Sequence, residues 1–136
     1  MPILPNGTGG YQVGTGNRNE PTLYTAGIPS AATATATLTA AQVIAGVLVA
    51  NPSTTAATYT LPTAAQIDAA IPNAVPGSSI DLTIVNIGTS TGTVTLAMGT
   101  GITNGGNATV VIPITSSAGF RFIKNADAAW AVYRLS

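Results

Sequence analysis

The sequence predicts an all-β fold: about eight short strands in a jelly-roll-like sandwich or small barrel, with two short helices. Three observations carry this. Apolar residues recur at every second position in several runs after residue 33. Gly, Asn and Pro separate those runs at short intervals. Two stretches of seven residues interrupt the alternation with helix-start chemistry. Ahead of this region lies an extended Gly/Pro-rich arm, so the chain divides into residues 1–32 and 33–136.

The arm holds Gly7, Gly9, Gly10, Gly14, Gly16 and Gly27 with Pro2, Pro5, Pro21 and Pro29, and shows no period of 2 or 3.6. By composition it reads as a disordered tail. An ordered arm would have to lie on another surface, because fixing backbone costs ~1–2 kcal/mol per residue and such a segment recovers little by folding on itself. Its contact residues would then be Leu4, Tyr11, Arg18, Leu23 and Tyr24.

Strand-like alternation begins at Thr33–Leu38, a short apolar run at Val47–Val49 follows the Gly46 break, and alternation returns with Ala57, Tyr59 and Leu61 before Pro62. Ile80, Leu82 and Ile84 form the next apolar face, then Val94, Leu96 and Met98. A further strand is expected through Ala108, Val110, Ile112 and Ile114, with Pro113 placing it at an edge or an end. Phe120 and Phe122 lead through Lys124 into a turn at Asn125–Ala128, and Trp130–Leu135 completes the hairpin.

The interruptions are Thr39–Ala45 and Thr63–Ala69, identical at five of seven positions and 24 residues apart. Each carries Thr and Gln at capping-box spacing: the Thr hydroxyl accepts from the N3 amide and the Gln side chain reaches back to the cap amide. Gly46 and Pro72 close the two helices. The pair fits either a duplicated helix-then-strand unit or two independent uses of the same cap.

Composition excludes several functions. Only eight of 136 residues are charged, four of each sign, where an average domain of this length carries about 34. Net charge is zero and no basic run exists, so phosphate-tracking nucleic-acid binding has no footprint. Near-zero charge removes the usual barrier to self-association, so the chain reads as a subunit that works assembled. Without Cys or His there is no disulfide, no thiolate or imidazole metal site and no His-assisted nucleophile. Met1–Pro5 lacks a basic region and an apolar core, so no signal peptide is expected, and the longest apolar stretch, Val43–Ala50, is far below the ~20 residues a membrane span needs.

Motifs for chemistry are equally thin. Gly7–Gly10 and Gly14–Gly16 lack the strand, the Gly-Lys-Ser/Thr ending and the helix of a phosphate loop. Glu20, Asp68, Asp81 and Asp127 are scattered, so paired-carboxylate hydrolysis or calcium binding is not expected. The chain is therefore expected not to be an enzyme and to use no cofactor or metal. Phe120, Phe122, Trp130 and Tyr133 cluster in the last hairpin, where core or subunit interface is the ordinary fate of such residues.

Thr37–Gln42, Tyr59–Ile67, Gly77–Asn86, Gly92–Leu96, Gly99–Thr103 and Ala129–Arg134 together resemble small tailed-bacteriophage virion proteins, namely capsid cement (decoration) proteins and head-fibre or knob domains. The resemblance covers residues 33–136 and rests on a pattern of turns and strands. It implies a homotrimer seated on the exterior of a capsid, made in the host cytoplasm, with itself and the major capsid protein as partners. It implies no nucleic acid, no membrane and no catalytic residues. A fibre or knob domain reading a host glycan or protein is the alternative, which an exposed Trp130 or Tyr133 would favour.

Overall fold

The computed structural model describes residues 30–136. Along the chain these form β1 (Ser30–Ala32), β2 (Ala36–Thr37), α1 (Ala40–Ile44), β3 (Val47–Ala50), β4 (Ala57–Thr60) and α2 (Ala64–Ala70). They continue through β5 (Ser79–Asn86), β6 (Val94–Ala97), β7 (Ile102–Gly106), β8 (Ser116–Ala126) and β9 (Ala129–Arg134). These described residues are mostly β, in two sheets, with two short helices.

Both helices start as the sequence indicates. Thr39 and Thr63 each accept from the amide of the Gln three residues on, and each Gln side chain returns a bond to the Thr amide at 2.9 Å. Gly46, at φ 86°, ends α1 in a conformation that costs a residue with a Cβ more.

The larger sheet has the order β1-β3-β5-β8-β9-β7 and the smaller β2-β4-β6. Strands β1, β3 and β5 pair in parallel, as do β2, β4 and β6. The reason lies in the connectivity. Each circuit of the chain lays one strand in the large sheet, turns, lays one in the small sheet, and starts again in the same direction. Coil one is β1-β2-α1, coil two β3-β4-α2, and coil three β5-β6. The matching Thr-Ala-Ala-Gln segments occupy the same place in coils one and two. Main-chain bonds between coils continue past the strands: Asn51 donates to Ala32, Ile87 to Ala50, Leu38 to Thr60 and Leu61 to Ala97, at 2.7–2.9 Å. The coils approach so closely at Gly99 that a Cβ there would run into the carbonyls of Leu61 and Pro62.

These ladders differ from the jelly roll expected from the strand count, whose strands run antiparallel. Alternation within a strand reports which face is buried and is blind to strand direction. Only β8 runs against its neighbours, β5 on one side and β9 on the other. Strand β7 returns to the far edge and pairs in parallel with β9.

Two local expectations are corrected. No strand spans 33–38: the chain turns between β1 and β2, and Thr33–Thr37 are exposed. No strand spans 108–114 either. There Val110 N–H donates to the Asn107 carbonyl, Asn107 and Thr115 have positive φ, and only Ile112 makes an antiparallel bridge, to Val94. The strand in this region is β7, just upstream.

One core lies between the sheets. Leu48, Leu82, Ile84, Phe120, Phe122, Trp130 and Val132 face Tyr59, Val94 and Leu96, while Val43 and Ile67 close it from the helices. The Tyr59 hydroxyl crosses to the Ala32 carbonyl at 3.0 Å, and burial pushes its pKa up.

Candidate functional site

Among the described residues, the side chains of Asp68, Asn86 and Arg121 each build a polar cluster that joins separate elements. The first joins α2 to the β8–β9 hairpin. Asp68, on the half-buried side of α2, accepts from the Ala128 amide at 2.6 Å, from Trp130 Nε1 at 2.8 Å and from Lys124 Nζ at 3.1 Å. Lys124 is buried, and its Nζ also reaches the Ala74 carbonyl at 3.3 Å and Asp127 at 3.5 Å. The Ala128 amide holds the Asp68 carboxyl below its ordinary value, with help from Trp130 and Lys124. Asp68 in turn raises Lys124. Both shifts favour the charged forms. The cluster is built to hold an ammonium against a carboxylate; a neutral amine nucleophile or a proton-donating acid is the opposite requirement.

The second place is Asn86, buried at the end of β5. Its amide nitrogen lies 3.0–3.1 Å from the carbonyls of Gly92, Ile112 and Pro113, and its Oδ1 accepts from Gly88 N–H at 2.8 Å. One side chain thus ties the β5–β6 turn to the loop ahead of β8. The third is the outer face of the large sheet, where Arg121 forks onto Asp81 across β5 and β8 at 2.8 and 3.0 Å. That pair lowers Asp81 and raises Arg121.

The aromatics separate by strand face. Phe120, Phe122 and Trp130 are core residues, while Tyr133 is 36% exposed and lies over Gly105 of the neighbouring β7. Arg134 sits 6.0 Å from the Phe120 ring and donates to the carbonyls of Val110, Val111 and Ser136. It thereby holds an exposed apolar corner of Val110, Val111 and Leu135, beside a depression of about 440 Å³. The expected arm contacts Leu4, Tyr11, Arg18, Leu23 and Tyr24 lie outside the described residues.

Asp68 and Asp127 meet at Lys124, whereas Asp81 is paired elsewhere with Arg121. Sequence spacing concealed this meeting, because residues 68 and 124 are joined only by the docking of α2 on the hairpin. Among the described residues no three Asp, Glu, His or Cys side chains group as metal ligands. The same residues include no helix long and apolar enough to cross a membrane.

Six of the eight charges fall in the described residues, and five of those six are in ion pairs with one another. The sixth, Arg134, is bonded to the chain's own carbonyls. Among the described residues the surface therefore carries few charges, and most of them are paired. Comparison with known proteins gave no match: no family profile, no curated protein and no solved structure is significantly similar to this chain.

Proposed function

We propose that this chain is a structural virion protein, a homotrimeric cement protein on the outer surface of a bacteriophage capsid, where it stabilises contacts between capsomers. The observation that carries the reading is the scarcity of charge, eight of 136 residues, with five of the six charges among the described residues held in ion pairs. Desolvating an ionised group is the main obstacle to burying a surface, and among the described residues ionised groups are few and mostly paired. Such a surface suits burial against copies of itself and a larger shell, in contacts insensitive to salt. The leading arm, residues 1–32, with Leu4, Tyr11, Arg18, Leu23 and Tyr24, supplies the grip on the major capsid protein.

Burial of Trp130 supports this reading over a glycan-reading knob, since that indole is spent on the core and on Asp68. Tyr133 is the exposed aromatic that a knob would use. Light scattering on the purified chain is expected to give about 40 kDa, three times the 13.4 kDa protomer. Deletion of residues 1–28 is expected to keep the trimer and abolish sedimentation with capsids. A monomer at micromolar concentration, or undiminished capsid binding by the truncated chain, would sink the proposal. Glycan binding lost on Tyr133→Ala with the trimer intact would replace it with the knob.

A further inference from the structure

Strand β7 carries an Asn-Gly step, Asn104-Gly105, at the point where its pairing with β9 is irregular. Asn104 lies opposite Val132 and Gly106 opposite Tyr133, so Gly105 is the extra residue of a bulge. Packing imposes the glycine, because a Cβ at 105 would run into the ring of Tyr133. The Asn104 amide is held at both ends. Its Oδ1 accepts from the Ala108 N–H at 3.0 Å, and its Nδ2 lies 3.4 Å from the Thr109 hydroxyl. A backbone N–H only donates, so the oxygen is the atom that faces it. Asn107, at φ 56°, turns the chain back, and Ala108 is buried in the core, which fixes the amide that Asn104 meets.

We propose that Asn104 is a self-modification site, at which the folded chain converts its own side-chain amide to a carboxylate through a cyclic imide. The Gly105 nitrogen gives up its proton to hydroxide from solvent and bonds to Asn104 Cγ. The bond from Cγ to Nδ2 then breaks, and ammonia leaves with a proton relayed from water through the Thr109 hydroxyl. Water next adds at Cγ, cleaves its bond to the Gly105 nitrogen and returns a proton there. One water is consumed and one ammonia released, with no oxidant or reductant. Each contact serves a step. Negative charge collects on Oδ1 as the nitrogen adds, and the Ala108 N–H is aimed at that atom. The Thr109 hydroxyl stands beside the departing nitrogen and supplies its proton. Glycine leaves the attacking nitrogen without a neighbouring side chain, and the bulge takes it out of the regular ladder. In the imide the Ala108 N–H polarises the Cγ carbonyl, so water is directed to Cγ and the product is ordinary aspartate. That carboxylate keeps an oxygen for Ala108 and gives a chain of zero formal charge one net negative charge. The inference is independent of the capsid reading.

The sequence holds one other Asn-Gly step, Asn6-Gly7, which peptide mass mapping separates from this one. At mildly alkaline pH the full chain is expected to gain about 1 Da at residue 104, as nitrogen gives way to oxygen. The gain should be at least about 10-fold faster in the folded chain than in urea. The folded chain should yield aspartate, inert to isoaspartyl methyltransferase, whereas the unfolded chain yields a mixture containing isoaspartate. Thr109→Val should slow the folded reaction at least about threefold and leave the rate in urea unchanged, and Thr109→Ser should restore it. The comparison of folded and unfolded rates uses the unaltered chain, so it decides the matter even where a variant does not fold. A folded rate equal to or below that in urea, isoaspartate as the main folded product, or an unchanged rate in a folded Thr109→Val chain would each overturn the proposal. None of these readouts involves a capsid, so they stand apart from the proposed function.

Discussion

At Ala128 the hairpin turn places a residue with a Cβ at φ 53°, a conformation glycine adopts freely. The bond from its amide to Asp68 is what holds it there. Ala128→Gly is expected to raise stability by about 0.5–1 kcal/mol in urea titration, since it relieves the strain and keeps the amide. Asn86 is the opposite case, a buried polar side chain with every group used. Asn86→Ala leaves the carbonyls of Gly92, Ile112 and Pro113 and the Gly88 amide without that partner, and should cost at least about 2 kcal/mol in the same titration. Neither residue's importance is visible in the sequence. Asn86 closes an alternating apolar strand, where a polar residue reads as the strand's end, and Ala128 is one of many alanines.

The helices are the elements most legible in the sequence, because a capping box is local chemistry: its donors and acceptors all lie within four residues. Thr63→Ala removes the bond to the Gln66 amide and is expected to cost about 1 kcal/mol, seen as a lower thermal midpoint. Strands β4, β5, β6, β8 and β9 are legible from their alternation, and β3 from its short apolar run. Strand β7 is not. Ile102-Thr-Asn-Gly-Gly106 has a single large apolar residue, and it is a strand because β9 offers it a ladder. The apolar run after it looked more like a strand but is turned by its own bonds at Asn107.

Across the whole molecule, pH reads how the charges are matched. Asp68 and Asp81 have folded pKa values below the ordinary 3.8, so the unfolded chain takes up protons first on acidification. Their stabilisation is present above that value and is lost as pH falls through the depressed ones. Lys124 is raised above 10.5, so its contribution is present below that pH and is lost as pH rises through the folded value. The thermal midpoint is therefore expected to be flat between about pH 5 and 9 and to fall below about pH 4. Asp68→Asn should lower the midpoint at neutral pH and flatten the acid limb. Asp81→Asn should change little, because an exposed ion pair contributes little.

By itself the sequence determined the β class, the two capped helices, the hairpin at residues 125–128 and the poverty of charge, because each follows from residue type and short-range spacing. The tertiary structure alone decided strand direction, the stacking of coils and the capture of Lys124 by Asp68. A strand's alternation records which face is buried and carries no information about which chain segment lies beside it, so pairing is settled only when the whole chain has closed on its core.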